Sequence, residues 1–438
     1  MQDANNGPLR VAIVGAGHRG IAFGDYSRTR PDRMQVVAVA DPKPERRTST
    51  SRRYGIPEGM QFVSYEDLVR ADIDCDAAIN ATMDEMHYAS TLALVEAGLH
   101  VLLEKPIAQT EQQILHLIDA ARENDRIIMI GHVLRHVPFY EKVKELIDDG
   151  VIGRVLSIRA LEAVSYDHMA TSFIRGRHRL RSVNPMLLSK SCHDLDIIAW
   201  LKPGVPVRRV SSHGELTVFR TENAPPGSGT RCVGDCDIES DCPYSARRIY
   251  VDKALYKSYA WETIEHIDNP TDEDKLESLR TDNPYGRCVW RCDNDVVDHQ
   301  VVAIEFADGT MASFDMFAGA FGGARSLEVI GTEGEIQGDA EAGGVILRKP
   351  LLDRQNRATF SEERIATTTE GSTQAEGHGG GDTRLIADFV SALRGDAPAT
   401  GATLIEDSLM GHRIGFAADR AMREHSVVEL WRTRSRRC

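Results

Sequence analysis

The chain has 438 residues, a formal net charge of −14 at pH 7 and a hydrophobic content of 42 %. This length predicts two or three domains, and the composition is that of an ordinary globular protein with a large core. The acidic charge disfavours a nucleic-acid binder, which normally carries a basic excess. No apolar run approaches the roughly 18 residues of a membrane span, and the first residues show no secretion signal, so we expect a cytoplasmic location and no membrane partner.

A glycine-rich stretch directly follows the first apolar run. Residues 11–20 read VAIVGAGHRG, in which Gly15, Gly17 and Gly20 form G-x-G-x-x-G after a predicted strand. In dinucleotide-binding folds the first glycine permits a tight turn, the second lets a pyrophosphate approach the backbone, and the third lets the next helix pack on the strand. The N–H groups at the start of that helix, with His18 and Arg19, then face the phosphates.

An acidic residue stands at the distance that this fingerprint requires. Residues 34–41 read MQVVAVAD, a predicted buried strand that ends in Asp41, 21 residues after Gly20. A carboxylate about 20 residues after the glycines binds the ribose hydroxyls of NAD and repels the 2′-phosphate of NADP. NAD is therefore the expected cofactor and NADP the less favoured one, although three basic residues after Asp41 weaken that preference. The alternative is a glycine turn in an α/β protein that binds no nucleotide.

Strands and helices alternate over the N-terminal third of the chain. This pattern predicts an α/β protein whose residues 1–135 form a Rossmann domain with a doubly wound parallel sheet. From residue 138 strand-like runs outnumber helices, so residues 136–438 are expected to form an α+β domain with a large, mostly antiparallel open sheet. Residues 221–298 look like a cysteine-rich insertion, and residues 351–381 look like a loop. Two helices, at 382–393 and 404–424, are expected to pack back toward the N-terminal domain.

Three further motifs come together in this chain. The first is Glu104-Lys105-Pro106 at the end of a predicted strand, the second is N-A-T-x-x-x-x-H with Asn80, Thr82 and His87, and the third is K-S-C-H-D-L-D at 190–196. In this combination the chain resembles the Gfo/Idh/MocA oxidoreductase family, named for glucose–fructose oxidoreductase and inositol dehydrogenase. The resemblance implies NAD(P)-dependent chemistry on a sugar or cyclitol carbon. It also implies a homo-oligomer, a dimer or tetramer, assembled through the open sheet.

The resemblance implies roles for two residues, and their chemistry agrees. Lys105, at the C-terminal end of a parallel strand, would stabilise a developing alkoxide, with Glu104 holding it in place. His193 would take the hydroxyl proton, because a histidine has a suitable pKa for a general base. The family commonly has an aspartate four residues before this histidine, and here that position is Ser189. The adjacent Lys190 is therefore a third catalytic candidate.

Several polar residues are candidates for binding a carbohydrate substrate. Residues 165–179, SYDHMATSFIRGRHR, contain His168, Arg175 and Arg177, which would suit a sugar pocket or equally a solvated basic loop. Asp194, next to His193, would orient that ring or bind substrate, and the neighbouring acid of HDLD is an alternative for the first role. His378, in EGHGGGD, resembles the HGG-x-D segment of NAD-dependent α-N-acetylgalactosaminidases, a glycosidase branch of the superfamily.

The insertion contains a group of cysteines. Cys232, Cys236 and Cys242 form C-x3-C-x5-C, and Cys288 is favoured over Cys292 as a fourth ligand. Four thiolates around Zn²⁺ would staple a segment that has little apolar content. Iron–sulfur ligation, free thiols or a disulfide pair are the alternatives.

Three functions follow from these motifs. The favoured one is an NAD-dependent oxidoreductase that transfers hydride between nicotinamide and a ring carbon of a sugar, glycoside or cyclitol. The first alternative is a glycosidase that reduces its bound NAD only transiently, by oxidation and elimination. The second is a nucleotide-sensing protein without turnover, which has no need for Lys105 and His193 together.

Overall fold

A computed structural model describes residues 7–320, 322–353, 355–367, 380–396, 399 and 401–430. The chain forms two compact units. Unit 1 comprises Met1–Asp148, Leu195–Leu201 and Thr367–Arg413, and unit 2 comprises Asp149–Asp194, Lys202–Ala366 and Ile414–Cys438. No helix in the described ranges is long and apolar enough to cross a bilayer.

Unit 1 is built on a parallel sheet. Its strands are β1 (Leu9–Val14), β2 (Met34–Ala40), β3 (Gln61–Phe62), β4 (Ala77–Asn80), β5 (His100–Leu103) and β6 (Ile128–Ile130). They lie in the order β3-β2-β1-β4-β5-β6, and every pairing is parallel. This arrangement confirms the predicted doubly wound sheet. The strand order reverses between β1 and β4, and ligands bind at the carboxyl ends of the strands at such a point.

The helices of unit 1 alternate with these strands. They are α1 (His18–Gly24), α2 (Tyr26–Thr29), α3 (Pro44–Tyr54), α4 (Tyr65–Arg70), α5 (His87–Glu96), α6 (Glu111–Glu123) and α7 (Pro138–Asp148). Helix α6 shows how the sequence specifies them. The Thr110 side chain caps its N-terminus by accepting a hydrogen bond from the backbone of Gln113. Ile114, Leu117 and Ile118 are buried at helical spacing, so one face of the helix packs on the core.

Unit 2 contains the second predicted sheet. Its strands are β7 (Val155–Ser165), β8 (Val207–Glu215), β9 (His299–Phe306), β10 (Met311–Ala320), β11 (Ala324–Gly331), β12 (Glu335–Asp339), β13 (Gly344–Leu352), β14 (Ala358–Ala366) and β15 (Val427–Glu429). They lie in the order β14-β13-β12-β11-β7-β10-β9-β8-β15. Only the β7–β10 pairing is parallel among these described strands, which confirms the mostly antiparallel sheet.

The expected loop at 351–381 is wrong over its first part. Strands β13 and β14 form an antiparallel hairpin at the sheet edge, in which Arg348 lies opposite Glu362 and donates to it at 2.9 Å. Strand β14 reads ATFSEERIA and is exposed at all positions but Ile365. An edge strand with both faces in water shows no apolar alternation, so the pattern on which strand prediction depends is missing.

The remaining helices follow β7 in the chain and belong to both units. They are α8 (Tyr166–His168), α9 (Met186–Ser189), α10 (Cys192–Trp200), α11 (Lys257–Ala260), α12 (Asp272–Arg280), α13 (Gly381–Leu393) and α14 (Ile405–Glu424). The predicted insertion lies between β8 and β9 and consists of α11, α12 and short turns. Helix α13 belongs to unit 1, because its Leu385, Ile386 and Phe389 share a buried core with Val11 and Ile13 of β1.

Candidate functional site

The nucleotide loop, which connects β1 to α1, is shaped by its glycines. A Cβ at Gly15, whose φ is +87°, would lie 2.4 Å from the carbonyl oxygen of Ala81, and one at Gly20 would lie 2.2 Å from that of Gly15. At Gly17 the nearest atom to such a Cβ is Nη1 of Arg46, at 3.5 Å. Gly15 and Gly20 are therefore required by backbone packing, whereas Gly17 leaves the loop backbone open to a ligand. This is the division of roles that a bound pyrophosphate needs.

Asp41 holds this loop from the end of β2. It is 4 % exposed, its Oδ2 accepts the backbone N–H of Ala16 at 2.8 Å, and its Oδ1 accepts that of Lys43 at 2.9 Å. Each carboxylate oxygen keeps a second lone pair for another donor, such as a ribose hydroxyl. Arg47 donates through Nη1 to the backbone oxygens of Asp41 at 2.7 Å and Pro42 at 3.0 Å. The residues at this edge therefore fit the adenosine half of a dinucleotide.

Arg19 connects two acids at the same end of the sheet. Its Nε donates to Oε1 of Glu104 at 2.6 Å, and its Nη2 donates to Oδ1 of Asp382 at 2.7 Å. Burial alone would raise the pKa of Glu104, but the charges of Arg19 and Lys105 outweigh burial and hold it below its usual value. Glu104 is therefore a stable anion next to Lys105. Asp382 was missed in the sequence, because nothing local relates it to a residue 363 positions earlier.

The Lys105–Pro106 segment is held at several points. Its peptide bond is cis, the backbone N–H of Lys105 donates to Oε2 of Glu104 at 2.9 Å, and Nδ1 of His87 lies 2.7 Å from the carbonyl oxygen of Pro106. The backbone N–H of Ile107 donates to Nε2 of His412 at 3.0 Å. His87, predicted as a cofactor ligand, is 1 % exposed and holds this segment through its contact with the Pro106 carbonyl oxygen.

Asn80 and Thr82 shape the turn after β4. The Asn80 side chain is fully buried and donates to the hydroxyls of Ser90 at 2.8 Å and Thr91 at 2.9 Å, while its Oδ1 accepts from the hydroxyl of Thr82 at 2.9 Å. This turn supplies Ala81, whose carbonyl oxygen packs against Gly15. Both residues thus contribute to the nucleotide loop through the backbone that they hold. His18, in contrast, is exposed at the start of α1.

A fully buried ion pair lies elsewhere in unit 1. Arg135 donates to both oxygens of Asp196, at 2.7 and 2.6 Å, and Nδ1 of His132 lies 3.1 Å from Oδ1 of the same acid. Burial would raise the pKa of Asp196, but Arg135 and His132 hold it well below its usual value. Asp196 was an alternative for orienting His193, and the structure commits it to Arg135 instead.

In unit 2, His193 lies in the first turn of α10 and is 7 % exposed. Three residues earlier, Nζ of Lys190 forms an ion pair with Oε1 of Glu162 at 2.8 Å. Nη2 of Arg325 also contacts that oxygen, and Nε of Arg325 donates to Oδ1 of Asp194 at 3.0 Å. Glu162 and Arg325 were not predicted from the sequence. A charged residue at a buried strand position looks in the sequence like any charged surface residue.

The substrate candidates have different environments. Arg175 is 1 % exposed and donates to the carbonyl oxygens of Arg287 and Tyr244, both at 2.7 Å, and to Sγ of Cys232 at 3.3 Å. It therefore ties the insertion together, and its prediction as a substrate ligand is not supported. Arg177 is exposed, and the His168 ring packs near the rings of Phe173 and, from the insertion, Tyr256. His378 lies outside the described residues. Asp194, also proposed to bind substrate, is 4 % exposed and accepts a hydrogen bond from Arg325.

The structure does not form the predicted zinc site. In the part of the chain that it describes, no group of three or more His, Cys, Asp and Glu side chains is placed to hold a metal ion. Cys232, Cys242 and Cys288 are buried free thiols, and Cys236 is partly exposed. Burial raises the pKa of Cys242 to about 11 and raises that of Cys288, which keeps both thiols protonated. Cys292 was the other candidate ligand, and its Sγ instead lies 3.3 Å from the carbonyl oxygen of Cys288.

The fold and the nucleotide loop together define a protein with a dinucleotide-binding Rossmann domain. Residues 9–132 match the model of the oxidoreductase family's NAD-binding Rossmann fold, and residues 144–430 match that of the family's C-terminal alpha/beta domain. The chain therefore belongs to the Gfo/Idh/MocA oxidoreductase family, which confirms the resemblance inferred from the motifs.

Relatives of known name support the same class. A Bacillus subtilis protein named as an oxidoreductase, YteT, is 24 % identical over 392 residues, which are 86 % of this chain and 88 % of that protein. Inositol 2-dehydrogenase of Corynebacterium glutamicum is 28 % identical over 200 residues, 44 % of this chain and 54 % of that enzyme. The 1,5-anhydro-D-fructose reductase of Ensifer adhaerens is 35 % identical over 130 residues, 30 % of this chain and 38 % of that enzyme.

Solved structures share the fold over nearly the whole chain. An inositol dehydrogenase homologue from Azotobacter vinelandii, complexed with NADH and myo-inositol, has a TM-score of 0.65 at 17 % identity and covers 98 % of this chain and 99 % of its own. The WlbA dehydrogenase from Bordetella pertussis, in complex with NADH and UDP-GlcNAcA, has a TM-score of 0.64 at 16 % identity, with coverages of 98 % and 99 %.

Proposed function

We propose that this protein is an NAD-dependent oxidoreductase that transfers hydride between nicotinamide and a ring carbon of a sugar, glycoside or cyclitol. The observation that carries the proposal is the nucleotide loop, open only at Gly17 and held by Asp41. Such a loop, followed by Lys105 at the end of β5, is what a cofactor and a reacting hydroxyl require. The carbohydrate class rests on the inositol and anhydrofructose enzymes among the relatives.

Each proposed role follows from the chemistry of the side chain. NAD, when bound, supplies the hydride acceptor. Lys105, with the Glu104 anion beside it, donates a hydrogen bond to the reacting oxygen, which stabilises developing alkoxide charge. His193 accepts the hydroxyl proton as general base. Lys190, anchored by Glu162, assists through its charge.

Two side chains at the end of β2 favour NAD over NADP as the cofactor. The Asp41 carboxylate is buried beside the loop and would repel a 2′-phosphate. Arg47, a candidate to bind that phosphate, donates to the backbone oxygens of Asp41 and Pro42 instead. Arg46 lies by Gly17, where its charge would favour the pyrophosphate that both cofactors share.

A homo-oligomer is part of the proposal. The outward face of β9 and β10 exposes Val301, Met311 and Phe317 by 48, 52 and 41 %. Apolar residues exposed together on one sheet face are typical of an interaction surface. Burying this face against a second copy of the chain would remove them from water.

The test is cofactor reduction with a panel of cyclitols, aldoses and methyl glycosides, each supplied with NAD or NADP. We expect NADH to form with at least one compound, and Lys105→Ala to slow its formation by roughly 10²–10⁴-fold. Lys142→Ala is the matched control, because Lys142 pairs with Glu145 on the surface of α7. Glycoside cleavage without net NADH would favour the glycosidase alternative. Tight NAD binding without any turnover would favour the nucleotide sensor.

A further inference from the structure

A cluster of four charged side chains is buried in unit 2, in the segment that carries His193. Glu162 comes from β7, Lys190 from the turn before α10, Asp194 from α10 and Arg325 from β11. Glu162 and Asp194 are 2 % and 4 % exposed, and the side chains of Lys190 and Arg325 are 13 % and 15 % exposed. Formal charges would cancel if all four were ionised, but the hydrogen bonds are not satisfied in that state.

Two carboxylate oxygens in this cluster have no hydrogen-bond donor among the residues that the structure describes. Oε1 of Glu162 receives both Lys190 and Arg325, and Oδ1 of Asp194 receives Arg325. Oε2 of Glu162 and Oδ2 of Asp194 are buried without any hydrogen bond. One guanidinium binds both acids, and each carboxyl group is among the causes of the other's pKa shift, so the two groups are adjacent. A buried acceptor without a donor is costly, and two adjacent carboxylates do not ionise together readily. A single proton shared by these two oxygens supplies the missing donor and neutralises one of the two carboxylates, so it removes both costs.

The surroundings decide which acid carries that proton. Glu162 contacts two cations and Asp194 contacts one, so the negative charge is better placed on Glu162. Burial would raise the pKa of Glu162, but Arg325 and Lys190 hold it below its usual value. Burial, and then the charge of Glu162, raise the pKa of Asp194 well above its usual value. The other acid facing Arg325 is Glu341, which accepts its backbone N–H at 2.8 Å.

We propose that Asp194 is protonated at neutral pH and donates from Oδ2 to Oε2 of Glu162, which leaves Glu162 as the one anion that positions Lys190. This inference rests on the proposed function, in which Lys190 and His193 act on the reacting hydroxyl. With the Glu162 anion beside it, Lys190 acts as the cation near the reacting hydroxyl, and His193 acts as the base. Glu162 is a positioning residue, since it acts through Lys190.

The pH dependence of catalysis tests the positioning role. Burial lowers the pKa of Lys190 and Glu162 opposes that effect, so Glu162→Gln should lower it further. We expect the alkaline limb of the kcat profile to move down by about one pH unit or more in Glu162→Gln. The matched control is Glu328→Gln, whose carboxylate pairs with the exposed Arg159 on the same sheet and should leave the profile unchanged. An unmoved limb in Glu162→Gln would overturn the role of Glu162.

Stability and infrared spectra test the proton without any substrate. Asn mimics a protonated aspartate, so Asp194→Asn should keep the urea midpoint, whereas Glu162→Gln should lower it by about 1 M or more. The infrared band of a protonated carboxyl group should be present in the wild type at neutral pH. Its intensity should fall in Asp194→Asn by the amount that one carboxyl group contributes. Equal losses of stability in the two variants, or no change in the band, would overturn the proposal. These two measurements stand even if no substrate is found, which would contradict only the proposed function.

Discussion

The two units bury charge in different ways. In unit 1, Arg135 satisfies both oxygens of Asp196, and Arg19 joins Glu104 and Asp382, so each acid is hydrogen-bonded to an arginine. In unit 2, two acids compete for the same Arg325, and one oxygen of each finds no donor within the described parts of the chain. The first arrangement holds a scaffold rigid. The second leaves a proton to be placed, which is a property of sites that handle protons.

The largest expected effect is on catalysis and concerns the two residues proposed to act on the hydroxyl. Lys105→Ala in unit 1 and His193→Ala in unit 2 should each reduce turnover by roughly 10²–10⁴-fold while NAD still binds. Steady-state rates and an NAD titration check this. His213→Ala, at an exposed position on β8, is the control and should be silent. Turnover near the wild-type rate in either variant would remove that residue from the mechanism.

The next effect sharpens the difference between the two buried acids of α10. Asp196→Asn leaves Arg135 as a buried cation without its anion, and should lower the free energy of unfolding by about 3–5 kcal/mol. Asp194→Asn, two residues earlier, should cost less than about 1 kcal/mol, because its amide donates where the proton was. Urea unfolding of the two variants checks this. Similar losses would show that the two units bury charge in the same way.

A smaller effect tests the backbone of the nucleotide loop. Gly15→Ala combines a positive φ of +87° with a contact at 2.4 Å, so it should lower the free energy of unfolding by about 3 kcal/mol and weaken NAD binding. Gly55→Ala has a φ of +71° but nothing within 4 Å of the new Cβ, and should cost about 1–2 kcal/mol with unchanged NAD affinity. Equal effects of the two variants on NAD affinity would contradict the proposed use of this loop.

The smallest effect concerns the choice of cofactor. Asp41→Ala removes the charge that would repel a 2′-phosphate, and should shift discrimination toward NADP by about tenfold, or ~1.4 kcal/mol. Parallel titrations with NADH and NADPH measure the shift. Tighter binding of NADPH by the wild type would mean that Asp41 does not set the preference.

The difference between the units also explains what could be predicted from the sequence. The nucleotide loop depends on glycines and an acid at fixed spacing, so Gly15, Gly17, Gly20 and Asp41 could be read directly. The charge cluster unites residues from β7, α10 and β11, and no local pattern relates Glu162 to Arg325, 163 positions later. The burial of Arg175 could not be predicted for the same reason, since only the folded insertion shows that its guanidinium is enclosed.

The central claim is that hydride passes from a ring carbon to the nicotinamide of NAD. The most direct measurement supplies NAD with a substrate from the panel that carries deuterium on its carbinol carbons, and follows the label by mass spectrometry. The account predicts that deuterium appears on the released NADH, and that Lys105→Ala slows the transfer as strongly as it slows turnover. Product formation with no label ever found on the cofactor would contradict the account.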